Sequence, residues 1–178
     1  MTYGDNGYVA VGDSVWISPD GRAWTPLDDV FGDVLYSVTY GAGRYVAVGV
    51  EGDPNIDPFG WHAAVITSVN GNDWTRVPHD AEVFGLGDQE AAVGMDGVAY
   101  GDAGYVAVGD ALVGDGGENQ TAVVWHSSDG TTWQRESYDE ALFSGSAEGG
   151  LNSVAAIGSH WVAIGREAAI SFTWESSG

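Results

Sequence analysis

The stretch "YGDAGYVAVGD" (100–110), followed after a second apolar run by "SSDGTTW" (127–133), decides how this chain folds, because both pieces recur. The first returns as "YGDNGYVAVGD" from Tyr3, as "YGAGRYVAVGV" from Tyr40 and, more loosely, as "AIGSHWVAIGR" from Ala156. The glycine that closes each V-A-[VI]-G stands at Gly12, Gly49, Gly109 and Gly165, at intervals of 37, 60 and 56 residues. Self-similarity of this kind marks a repeat architecture, and the unequal intervals place insertions in its loops.

After each V-A-[VI]-G comes a second apolar run, "SVWIS", "AAVITS", "AVVWHS" and "AAISFTW". Three of the four continue into S-x-[DN]-G-x-x-W: Ser18, Asp20, Gly21 and Trp24; Ser68, Asn70, Gly71 and Trp74; Ser127, Asp129, Gly130 and Trp133. Asp-Gly or Asn-Gly between two β-runs predicts a short hairpin, since the turn needs positive φ. The tryptophan then opens the outgoing strand, with its indole buried between neighbouring units, while the Ser and Asp side chains take up turn N–H groups. In the second unit the strands are expected near 36–40, 45–50, 64–68 and 74–77. Four antiparallel strands per repeat make a β-propeller blade. The expectation is one all-β propeller domain over 1–178, alone or as part of a larger ring, with units at approximately 1–30, 31–80, 91–137 and 150–178.

These boxes resemble those of Asp-box propellers, the bacterial neuraminidase repeats of sialidase-like folds, many of them secreted bacterial proteins. The resemblance covers nearly the whole chain. It departs from the usual box, which has an extra residue between Asp and Gly and a Thr before the aromatic, kept here only as Thr132. Both ends fall inside blades: "MTYG" aligns with the last residues of "YSVTYG", and "FTWESSG" stops before a further turn and Trp strand. A fragment of a longer propeller is therefore expected, ahead of self-association or closure that completes the ring from this chain.

Composition narrows the partners. The chain carries 26 Asp and Glu against 5 Arg and no Lys, a net charge of −21 that repels nucleic acid and anionic membranes. The acids are dispersed, which describes a solvated acidic surface suited to an extracellular or cell-envelope setting. With no Cys there is no disulfide or thiolate chemistry, and no apolar run is long enough to span a bilayer. The first residues lack the basic and apolar regions of a signal peptide, which then falls upstream of a fragment.

No residue is singled out as catalytic, cofactor-binding or metal-ligating. A sialidase would need an arginine cluster, yet Arg76 and Arg135 each lie two residues past a box Trp, Arg22 lies in a box turn, and Arg44 and Arg166 flank V-A-[VI]-G. Among so many acids, a carboxylate pair at glycosidase spacing carries no signal. His62, His79, His126 and His160 show no zinc spacing. Asp53, Asn55 and Asp57 alternate like the first ligands of a Ca²⁺ loop, but Pro58 and Ala64 stand where Gly and the bidentate Glu are needed, so a plain turn is favoured over Ca²⁺. Recognition remains: a non-catalytic module binding a carbohydrate or protein partner through inter-blade loops. Two insertions, 50–62 and 110–120, should project to one side, where Phe59 and Trp61 offer an aromatic platform or simply shield blade edges. The competing reading is a fragment of a sialidase-like glycoside hydrolase.

Overall fold

A computed structural model of the chain describes residues 1–28, 31–51, 60–86, 90–114, 119–136, 149–158, 160–165 and, for the backbone, 169–173. Strand is the only regular structure among them. Blade 1 contains β1 (Thr2–Gly4), β2 (Gly7–Val11), β3 (Val15–Ser18) and β4 (Thr25–Pro26), and blade 2 contains β5 (Val34–Gly41), β6 (Arg44–Glu51), β7 (His62–Ser68) and β8 (Thr75–Arg76). Blade 3 follows with β9 (Glu90–Gly101), β10 (Gly104–Val113), β11 (Asn119–Ser127) and β12 (Gln134–Arg135), and blade 4 with β13 (Leu151–Ile157), β14 (His160–Gly165) and β15 (Ala169–Thr173). Each blade is an antiparallel meander with its strands in chain order. A fourth strand of blade 4 would fall outside the described residues.

Alternation along the second strand explains how blades stack. Val46 and Val48 share a core with Tyr105, Ala107 and Trp125 of blade 3, whereas Tyr45 and Ala47 share one with Val9 and Val15 of blade 1. Val106 and Val108 meet Trp161 and Ala163 of blade 4 in the same way. V-x-V therefore faces the following blade and Y-x-A the preceding one, so a strand buried on both sides reads as a nearly continuous apolar run with a period of two. The first strands of successive blades neighbour one another, β1 with β5, β5 with β9 and β9 with β13, as they must when blades fan out from one axis.

The Tyr-Gly pairs stitch these first strands together. A Cβ on Gly4 would collide with the ring of Tyr40, and one on Gly41 with the ring of Tyr100, so each glycine makes room for the next blade's tyrosine. The second-strand tyrosines add a polar tie: Tyr45 donates its hydroxyl to the Gly7 carbonyl at 2.9 Å, and Tyr105 donates to Gly41. Burial pushes the Tyr105 hydroxyl up to about 12, so this donor stays protonated. Blade 4 exchanges large for small: Ala156 replaces the inner tyrosine, and Trp161 fills the space against Gly101.

The three boxes share one geometry. The Gly21, Gly71 and Gly130 amides donate to the hydroxyls of Ser18, Ser68 and Ser127 at 2.9, 2.8 and 2.8 Å. The Asp20, Asn70 and Asp129 side chains each accept from the next two amides but one, as in the 2.7 Å bonds from Thr131 and Thr132 to Asp129. Burial opposes ionisation of Asp129, but these backbone donors outweigh it and hold the carboxyl at about 2.

Two expectations are corrected here. The expected short hairpin is a turn over 19–24, 69–74 and 128–133, so the outgoing strand starts one residue after the tryptophan, at Thr25, Thr75 and Gln134. The indole instead folds back on its turn, Trp74 Nε1 donating to Gly71 O at 2.9 Å and Trp133 Nε1 to Gly130 O at 3.1 Å. Only Trp133 is fully buried, at 5% exposure, because Val77 and Phe84 of the blade 2 to blade 3 connection cover it. Trp24 and Trp74 are half-buried. Trp24 lies beside Tyr8, on the face of blade 1 that no other blade covers among the described residues.

Candidate functional site

The inner strands depart from the repeat at one register. In β5, Leu35 pairs with Gly49 and Ser37 with Val48, leaving Tyr36 as an extra residue. Asp96 is extra in β9 between the pairs Met95–Gly109 and Gly97–Val108, and Asn152 in β13 between Leu151–Gly165 and Ser153–Ile164. A bulge adds one unpaired residue and re-aims its side chain. It also explains the glycine of V-A-[VI]-G: a Cβ on Gly49, Gly109 or Gly165 would strike the carbonyl oxygen of Val34, Gly94 or Gly150. Gly12, with no such strand segment against it, has nothing within 4 Å.

Neighbouring contacts draw the three bulges together. The Val98 amide donates to Ser37 Oγ at 3.2 Å, linking the strands just past Tyr36 and Asp96. A Cβ on Gly97 would lie 3.1 Å from Ser153 Cα and 3.2 Å from Asn152 O, so β13 runs closely along β9 there. Tyr36 and Asn152 are exposed and Asp96 is partly buried. In β5 and β13 the bulge lies near the start of the strand, whereas β9 and β10 continue past theirs, from Asp110–Gly94 to Val113–Glu90, on the side from which the connections after β6 and β10 leave.

Asp96 meets a second carboxyl. Asp110, 9% exposed, follows Gly109 on β10 and accepts from Gln120 Nε2 at 3.4 Å, while Gly150 of blade 4 packs against its side chain. Burial, then the charge of Asp110 and a hydrogen bond between the two carboxyls, raises Asp96 to about 7. Two carboxyls in hydrogen-bond contact share one proton, so the pair presents both a donor and acceptors near neutrality. The sequence signal was a lone Asp inside the apolar run "AAVGMDGVAY", and sequence reasoning passed over it.

The box residues lie away from this cluster, in the turns at the opposite end of the strands. Two of the arginines brace the sheets. Arg76 holds Asp33 and Glu51 and lies over the Phe31 ring, and Arg135 forks onto both oxygens of Glu90 at 3.2 and 2.7 Å and lies over Trp125. Trp61 is half-buried, packed on Gly94 and held by the Val93 amide bonding to its carbonyl at 3.1 Å, so it shields the edge of β9. Phe59 and the Asp53, Asn55 and Asp57 loop lie outside the described residues. Among the described residues, no group of three or more His, Cys, Asp or Glu is arranged to hold a metal ion. A shallow groove of about 540 Å³ runs outside, between the 77–84 connection and the Thr131–Trp133 turn, with His79 and Phe84 on its wall.

No protein-family model matches the chain, and no curated protein matches it. Solved structures do match its fold. One is a mutant of the Bombyx mori GH32 β-fructofuranosidase BmSUC1 in complex with sucrose, which aligns over 85% of this chain with a TM-score of 0.50 at 11% identity. The alignment takes in 34% of that chain, so this chain spans about a third of its length. The likeness shows the fold: these sheets are blades of a β-propeller.

Proposed function

We propose that this chain is a carbohydrate-binding propeller module, with the sugar seated at the bulges of the inner strands. The observation that carries the proposal is the register-matched bulge of β5, β9 and β13, which sets Tyr36, Asp96 and Asn152 at one level of three neighbouring inner strands. An aromatic ring, an amide and a proton-sharing carboxyl pair supply a stacking face together with donors and acceptors, which is what a sugar ring and its hydroxyls require. The fold it shares with an enzyme solved in complex with sucrose supports the same ligand class. The box geometry supports kinship with Asp-box propellers, and the dispersed −21 charge supports an extracellular or cell-envelope setting.

The hydrolase reading is weaker at this site. Glycosidase carboxyls stand about 5–9.5 Å apart to flank a sugar or a water, and Asp96 and Asp110 are in direct contact. Oligosaccharide binding by glycan array and calorimetry tests the proposal, with Tyr36→Ala and Asn152→Ala as variants at exposed positions. Each should weaken binding at least tenfold. Binding untouched by both variants, or no glycan bound at all, would reject the site, and turnover of a glycoside would favour the hydrolase.

A further inference from the structure

The outer faces of the first and last blades are halves of blade junctions. Val162 and Ile164 occupy the register of Val46 and Val48, which the following blade buries completely, yet they are 40% and 55% exposed. On blade 1, Tyr3 and Tyr8 occupy the register of Tyr40 and Tyr45, with Trp16 exposed beside them. Continuity of the internal junctions argues that a β-blade covers the open face of blade 4.

That blade has a recognisable chemistry. At the first two junctions the last residue of the inner strand is glycine, Gly4 or Gly41, because the next blade's tyrosine ring occupies the space of its Cβ. At the third junction Gly101 takes Ala156, whose Cβ would lie 2.7 Å from a Cβ there, together with the edge of Trp161. The same register position in blade 4 is Ile157, paired with His160 as Gly41 is with Arg44, and 71% exposed. A branched side chain now stands where a tyrosine would have to lie. We infer that the outer face of blade 4 receives a four-stranded blade whose inner strand presents glycine opposite Ile157, since even the Cβ of Ala156 leaves no room for one at Gly101, and that it rejects blade 1 of this chain, which presents Tyr3. Ring closure on itself and head-to-tail pairing with a second copy are both excluded by that one side chain.

Sedimentation velocity over a range of about 1–300 µM, from roughly micromolar to the sub-millimolar range of weak transient contacts, tests this on the chain, on Ile157→Gly and on Ile157→Gly combined with Val162→Asp. The chain should remain one species. Ile157→Gly recreates the Gly41–Tyr100 arrangement and should associate with increasing concentration, at least tenfold more tightly than the parent, and Val162→Asp should abolish that association. Ile157→Ala, with circular dichroism to check the fold, should stay monomeric like the parent, because its Cβ already stands where the tyrosine ring must lie. Discrete oligomers of the unaltered chain that Val162→Asp dissolves would overturn the inference. So would an Ile157→Gly chain that stays monomeric, because the isoleucine would then not be what bars the junction.

Discussion

Replacing Asp110 by Asn should change how stability depends on pH. Asp96 has a carboxyl raised from 3.8 to about 7, by burial first and by Asp110 second. Its folded value lies above its unfolded one, so the native state holds a proton that the unfolded chain releases. The contribution is complete below pH 3.8, is lost progressively as pH rises through 7, and is flat above. A shift of about three units at 1.36 kcal/mol each sets an upper limit of about 4 kcal/mol on that loss. Asp110→Asn removes the like charge, and its amide donates to the Asp96 carboxylate, while burial remains. About 1–2 kcal/mol of the penalty at pH 8 should therefore be relieved relative to pH 5. Urea unfolding of both chains at the two pH values measures this as a double difference, in which the other carboxyls cancel. Equal pH dependence in the two chains would mean that Asp96 and Asp110 do not share a proton, and the polar half of the sugar site would lose its basis.

Other consequences are simpler. Gly109→Ala should lose roughly 2 kcal/mol or more in urea unfolding, because its Cβ meets the rigid Gly94 carbonyl, whereas Gly12→Ala, at the same place in the repeat, should stay within about 0.5 kcal/mol. Trp133→Ala should cost roughly 3–5 kcal/mol and Trp24→Ala far less, since only the first indole is fully covered. The thermal midpoint should rise in NaCl between about 0.01 and 1 M, as the Debye length falls from roughly 30 to 3 Å and relieves the repulsion among dispersed acids. A flat midpoint would point to bound cations, and a chelator should then lower it.

Local chemistry determined much of this protein. The alternation in V-A-V-G, the recurrence of Tyr-Gly and the Ser, Asp and Gly of the boxes each act over a few residues, so the sequence alone pointed to an all-β chain, its repeat and the approximate places of its strands. In the second unit the strands expected at 36–40, 45–50 and 64–68 lie within β5, β6 and β7. Tertiary structure decided what depends on partners distant in the chain. Whether a box indole is buried depends on the connection lying over it, which covers Trp133 and leaves Trp24 half open. The bulges were hidden because one extra residue in an inner strand is visible only against its pairing partner. Pairing registers Leu35 with Gly49, Met95 with Gly109 and Leu151 with Gly165, and so sets Tyr36, Asp96 and Asn152 apart from the core. The Asp96–Asp110 pair joins residues on two strands, and its shared proton arises from burial and proximity that neither strand has alone.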